Sequence, residues 1–189
     1  VIFEDPRADL SGIMIHPTEK TIEAASSNYT RVEWKILDES IKPDIDYLAT
    51  VTDGEVNVGS RTLDNKFWVV VYIMDDGPVQ YYLYDREKKK ARFMFTNRKA
   101  LENVKLSKMH PVVIKSRDGL NLISYLTLPY WTDMDNNARP DKPLPMVLFV
   151  HGGPWARDSW GYHSGHQWLS NRGYAVLSVN YRSSTGFGK

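Results

Sequence analysis

The residues whose types and spacing could do chemistry lie in the run PMVLFVHGGPWARDSWGY, from Pro145 to Tyr162. Five apolar residues, Met146-Val147-Leu148-Phe149-Val150, stop abruptly at His151-Gly152-Gly153-Pro154. A β-branched apolar run ended by Gly-Gly-Pro predicts a buried strand of a parallel sheet entering a tight loop. Two adjacent glycines permit positive φ and leave backbone N–H groups unshielded. Such N–H groups can be aimed at developing negative charge, which is what an oxyanion hole requires.

Two other chemistries compete for this stretch. His151, His163 and His166, with Asp158 nearby, could hold zinc if the fold gathered them. The Gly-Gly-Pro spacing has its own explanation, however, and no helix is established beneath His163-x-x-His166, so no metal is expected. Gly186-Phe187-Gly188-Lys189 hints at a phosphate loop but lacks its first glycine and a following helix. A nucleophile is harder to find. Gly-x-Ser-x-Gly is absent, and Gly161-Tyr162-His163-Ser164-Gly165 has the wrong spacing and follows no strand.

Several elements must position the loop. Leu120–Leu128 and Val112–Ser116 flank Arg117-Asp118-Gly119 and predict a hairpin, Asp-Gly being a strong tip signal. A connection with four prolines, 129–145, leads to the apolar strand. After the loop, residues 166–172 predict a helix capped by Gly173, with Trp168 and Leu169 facing the sheet. Tyr174–Tyr181 predicts the next buried strand, so strand, helix and strand form a βαβ unit.

Residues 1–109 read differently. Ile13–Ile15, Ile22–Ala25 and Arg31–Leu37 are strand candidates, followed by a short helix over 38–48 with Pro43 in its first turn. Val56–Arg61, Phe67–Met74, Gln80–Tyr84 and Ala91–Phe95, joined by short turns, predict an antiparallel meander the size of one propeller blade. Most aromatic residues fall at strand or helix positions, which predicts core packing. The basic run Arg86–Lys90 predicts a solvated turn.

Composition excludes other classes. The 189 residues are 42% hydrophobic and 25% charged, with net charge +1, giving no electrostatic case for nucleic acid or an anionic membrane. Absence of cysteine excludes disulfides and thiolate zinc sites. No apolar run approaches the ~20 residues that span a bilayer. The start has no secretory signal pattern and no initiator Met, which predicts a piece of a longer soluble protein. The compartment, cytoplasm or periplasm, is not fixed by the sequence.

HGGPWARDSWGY followed by QWLSNRGYAVLSVNYRSSTGFGK resembles the start of the catalytic domain of the prolyl oligopeptidase family of serine peptidases. The likeness is nearest to its acylaminoacyl-peptidase and dipeptidyl-peptidase-like members. SRDGLNLISYLTLP resembles the first hairpin of that domain, and DNKFWVVVYIMDDGPVQYYLYDR a late blade of the family's propeller. The resemblance implies a mixed fold: propeller blades over 1–109, then the N-terminal half of an α/β-hydrolase domain over 110–189. It implies a serine peptidase acting on short peptides without a cofactor.

In the family the nucleophile, acid and base follow in the order Ser, Asp, His, downstream of the glycine-rich loop at which this sequence ends. By resemblance, Gly153 is the oxyanion-hole donor through its backbone N–H, with His151, Gly152 and Pro154 as loop neighbours. Arg182 matches the family's Asn-Tyr-Arg position and would support the site. Ser183 departs from the pattern, where the family usually has glycine. The chain alone is expected to be inactive, and to self-associate through uncovered strand faces. A non-enzymatic interaction module and part of a carboxylesterase are the alternative readings.

Overall fold

The computed structural model describes residues 1–153 and 155–188; Pro154 of the glycine loop and Lys189 lie outside the described residues. Antiparallel sheets dominate and helices are few and short. The chain divides into two compact units. One comprises Val1–Asn28, Val32–Met74 and Pro78–Glu102; the other comprises Tyr29–Arg31, Asp75–Gly77 and the residues from Asn103 onward. Among the described residues no helix is long and apolar enough to cross a membrane.

The first unit holds two sheets. Strands β1 (Leu10–Ile15), β2 (Ile22–Asn28) and β3 (Val32–Ile36) form an antiparallel meander. Helix α1 (Lys42–Leu48) follows, with proline in its first turn as expected. Strands β4 (Glu55–Arg61), β5 (Phe67–Ile73), β6 (Gln80–Asp85) and β7 (Lys90–Thr96) then form the four-stranded meander that the turn signals predict. Alternation in β5 buries Trp68, Val70 and Tyr72 on one face. They pack with Tyr84 of β6, Met14 and Ala24 of the smaller sheet, and Ile41 and Leu48 beside or within α1.

The basic run is not simply a solvated turn. Asp44, wholly buried in α1, accepts from the Tyr84 hydroxyl at 2.7 Å and from Arg86 Nε and Nη2 at 3.1 and 2.9 Å, and Lys89 also reaches it. Burial acts to raise the Asp44 carboxyl, but Lys89, Tyr84 and Arg86 outweigh it and hold the group below the usual carboxylate range. The guanidinium carbons of Arg61 and Arg86 stand 5.2 and 4.9 Å from the Trp68 ring centroid. Its indole N–H donates to Asn65 Oδ1 at 2.7 Å. A buried carboxylate some 40 residues away in sequence thus captures two of the expected solvated cations, a tertiary effect that a charge run cannot reveal.

The second unit is built on one mixed sheet. Strands β8 (Met109–Lys115) and β9 (Asn121–Thr127) form the predicted hairpin, with Gly119 at φ 87° near its tip. Strand β10 (Met146–Leu148) runs parallel to β11 (Ala175–Val179), with α2 (Ser164–Ser170) between them in the chain. The strand order is β10-β11-β9-β8. Met109, Ile123, Tyr125 and Trp160 form the core, joined by Tyr29 and Phe187. The Trp160 indole donates to the Met109 carbonyl at 2.7 Å, and the Gln167 side chain binds both the N–H and the carbonyl of Ser107.

Three expectations fail here. The apolar run is not a buried strand: β10 has three residues, and Met146 and Leu148 are 57% and 61% exposed. Among the described residues it lies at the sheet edge, paired with β11. Trp168 does not face the sheet; it is 58% exposed, and Arg172 lies over its ring. The buried side of α2 is polar instead, formed by His166, Gln167 and Ser170. A helix does form at the paired histidines, with His163 as its N-cap and His166 in its first turn. Gly173 meets its prediction. At φ 87° its N–H reaches the Ser170 carbonyl while the Tyr174 N–H reaches that of Leu169, the paired bonds of a Schellman cap.

Candidate functional site

The loop at His151 begins where β10 ends. The Phe149 N–H donates to the Leu177 carbonyl at 2.8 Å, carrying the pairing with β11 one residue past the strand. Neither Gly152 nor Gly153 has a left-handed φ, so the expected need for positive φ is not what selects glycine here. At Gly153 the reason is close approach, since an added Cβ would stand 3.2 Å from the Tyr181 hydroxyl. At Gly152 a Cβ would meet nothing within 4 Å. Both glycines are exposed.

The loop is braced by the segment after β11. The His151 ring stacks on Tyr181 with centroids 4.5 Å apart and planes 20° apart. The Tyr181 hydroxyl donates to the His151 carbonyl at 3.2 Å. His151 Nδ1 lies 2.7 Å from the Gly152 carbonyl, and Nε2 lies 2.8 Å from Ser184 Oγ. A carbonyl only accepts, so Nδ1 carries the proton, and in the neutral ring Nε2 accepts from the Ser184 hydroxyl. Asn180 adds a second brace, accepting from the Asp158 N–H at 2.8 Å and donating to the Asp158 carbonyl at 3.1 Å.

Ser183, between Arg182 and Ser184, has φ 77°. A Cβ at such an angle is strained by about 1–2 kcal/mol, partly offset because glycine is costlier to order. Ser183→Gly is therefore expected to stabilise the second unit by about 0.5–1 kcal/mol, seen as a higher urea midpoint with unchanged m-value. An unchanged or lower midpoint would contradict the strain.

Arg182 itself turns to the hairpin tip and pairs with Asp118. The Ser116 hydroxyl and the Arg182 guanidinium hold the Asp118 carboxyl down to about 2. The structure thus brings His151, Gly152, Gly153, Tyr181 and Ser184 together and sends Arg182 elsewhere. Tyr181 and Ser184 escape a sequence reading, because nothing in their spacing marks them as partners of a histidine some 30 residues earlier.

A second constellation was also hidden. Ser178 Oγ lies 2.8 Å from His166 Nε2, the separation of a nucleophile and its base. It is not one. Both residues are buried, and the Ser178 hydroxyl points its proton away from the imidazole, donating to the Phe149 carbonyl at 2.6 Å. Burial pushes His166 down to about 4, with nearby His163 adding to the effect, so the ring is neutral at pH 7. Burial also raises the Asp158 carboxyl, against the influence of the His151 and His163 rings. Among the described residues no group of three or more His, Cys, Asp or Glu side chains is placed to hold a metal ion.

The chain is similar to known proteins over its whole length. Residues 132–187 match a family model described as BD-FAE. Dipeptidyl aminopeptidase BIII of Pseudoxanthomonas mexicana is 49% identical over 189 residues, 100% of this chain and 27% of that protein. Dipeptidyl peptidase family member 6 of Caenorhabditis elegans is 34% identical over 204 residues, covering 100% and 28%. The crystal structure of Porphyromonas gingivalis dipeptidyl peptidase 4 superposes with a TM-score of 0.65 at 15% identity, over 100% of this chain and 26% of that one, a likeness of fold. The chain spans about a quarter of the length of the curated relatives it matches. Likeness to dipeptidyl peptidases along its whole length, on the fold those enzymes share, makes the chain a member of the prolyl oligopeptidase family.

Proposed function

We propose that this chain supplies the oxyanion side of a serine peptidase that hydrolyses short peptides. Residues 1–109 are the end of the propeller, and residues 110–189 are the N-terminal half of an α/β-hydrolase domain. The parallel β10–β11 pair with α2 between supports the second assignment. The four-stranded meander supports the first.

The observation that carries the reading is the placement of Gly153. It follows a parallel strand, it is exposed, and its neighbours are fixed by Tyr181 and Ser184. A preorganised N–H there can bind the oxygen of a tetrahedral intermediate as its charge develops. His151 and Gly152 hold the loop, and Pro154 is its next residue in the sequence. The nucleophile, its base and the orienting acid are not among these residues, since no serine here has the elbow sequence. Exposed Met146, Leu148 and Val150 support self-association of the isolated chain.

The test is covalent labelling with a fluorophosphonate probe. The 189-residue chain is expected to remain unlabelled by mass spectrometry, because no serine stands in the nucleophile-elbow sequence. Stoichiometric labelling of any serine within the chain would overturn the proposal.

A further inference from the structure

The hydrogen bonds around His166 form a directed chain. Ser178 Oγ gives its one proton to the Phe149 carbonyl, so toward His166 it can only accept. The Asp158 carboxylate is the other acceptor beside this hydroxyl, and it too would draw the proton away from the ring. His166 Nε2 therefore carries a hydrogen and donates to Ser178 at 2.8 Å. Nδ1 is then a lone pair, which accepts from the Thr127 hydroxyl at 2.9 Å. The order is Thr127 to His166 to Ser178 to the Phe149 carbonyl. It crosses from β9 to α2 to β11 and ends one residue past β10.

Phe149 is held on a second side. Its ring packs edge-on against His163 and His166, with centroids 5.1 and 5.8 Å away. A Cβ on Gly165 would stand 3.0 Å from the Phe149 ring, so only glycine lets α2 sit this close. The residue two positions before His151 is thus gripped by its carbonyl and by its ring. An edge strand of three residues has little else to fix its end.

We propose that His166 is a positioning residue for the oxyanion loop, acting through Ser178 on the Phe149 carbonyl. The proposal rests on the reading of Gly153 as the oxyanion donor. The buried Ser–His pair then has a role without being a nucleophile and base: it sets where the strand ends, and hence where the following N–H groups point.

Nitrogen-15 NMR of the 189-residue chain tests the relay directly. The His166 ring is expected to be neutral with its proton on Nε2. Ser178→Ala is expected to shift or broaden the Gly152 and Gly153 amide signals while leaving that of Gly119 at the hairpin tip unchanged. Ser178→Thr, which keeps the hydroxyl, restores them. A proton on Nδ1, or unchanged Gly152 and Gly153 signals in a folded Ser178→Ala chain, overturns the proposal. If Ser178→Ala does not fold, the ring tautomer and the Thr127→Val variant decide. Thr127→Val is expected to change the ring signals and to move the same two amides; unmoved amides overturn the relay.

In a peptidase-active polypeptide carrying this chain, Ser178→Ala is expected to lower kcat about tenfold with KM little changed. A merely structural role would show no such split. Failure of the oxyanion reading is seen separately, in the response to substitution of Gly153, and leaves the tautomer and amide results standing.

Discussion

Proline at position 153 is expected to lower kcat by ~10²–10³ in a peptidase-active polypeptide carrying this chain, equivalent to about 2.7–4 kcal/mol of transition-state stabilisation. Proline lacks the N–H, so the substitution removes the proposed donor itself. Its Cβ meets the Tyr181 hydroxyl as that of Gly153→Ala does, so the difference between the two variants reads the N–H itself. An interaction made only with developing charge affects kcat and kcat/KM together and leaves KM nearly unchanged.

Two alanine variants separate loss of the N–H from loss of fit. Gly153→Ala keeps the N–H, but its Cβ lies 3.2 Å from the Tyr181 hydroxyl, so a smaller loss is expected as the ring gives way. Gly152→Ala meets nothing within 4 Å and is expected to be nearly neutral. Steady-state kinetics on the three variants gives the order 153-proline, 153-alanine, 152-alanine in severity. Full activity of Gly153→Pro, or equal losses in all three, would remove Gly153 from the mechanism.

The second large effect is on stability. His166 is 1% exposed, and burial holds its folded-state pKa down to about 4 against the ordinary 6.5. Between those values the unfolded chain binds a proton that the folded chain refuses. Stability of the second unit therefore rises with pH across this window and is lost as the pH falls from 6.5 towards about 4. Below the lower value both states are protonated and the loss stops growing. The full cost is on the order of 3 kcal/mol, since each pH unit between the two values contributes about 1.4 kcal/mol.

The groups that face His166 modify this without reversing it. His163 opposes its protonation, and the Asp158 carboxylate lies beyond Ser178. Asp75 and Asp158 are both raised by burial, so each favours the folded state on acidification, the opposite sign. The histidine is isolated by difference. Hydrogen exchange of the Val176 and Leu177 amides is expected to lose protection from pH 6.5 to about 4 in the native chain, and less steeply in His166→Gln. Equal slopes in the two would show that His166 does not govern acid sensitivity.

How much of this was legible depended on whether the cause was local. Alternation in Phe67–Ile73, the Asp118-Gly119 tip and the Gly173 cap each follow from a few adjacent residues, and the chain folds as they indicate. Trp168 was misplaced because the rotation of α2 is fixed by polar partners far along the chain: Thr127 and Ser178 for His166, and Ser107 for Gln167. Hydrophobicity favoured the tryptophan, and hydrogen bonding chose otherwise. The exposure of Met146 and Leu148 follows from an edge position that no short apolar run encodes. The glycine loop itself was visible in the sequence, while its braces were not, since Tyr181 and Ser184 are neighbours of His151 only after the parallel pair has formed.

The order β10-β11-β9-β8 also dictates a sequence of events during folding. The hairpin β8–β9 closes over the short turn from Ser116 to Leu120 and can form as soon as both strands exist. β10 has no such option, because among the described residues it pairs with β11. β11 must first reach back across the helix and the long loops to dock on β9, a closure whose entropy is met before any contact rewards it. On a growing chain β10 and its glycine loop therefore wait, unpaired, until the residues up to Val179 have been made. The glycine loop is thus ordered only once the parallel pair has formed.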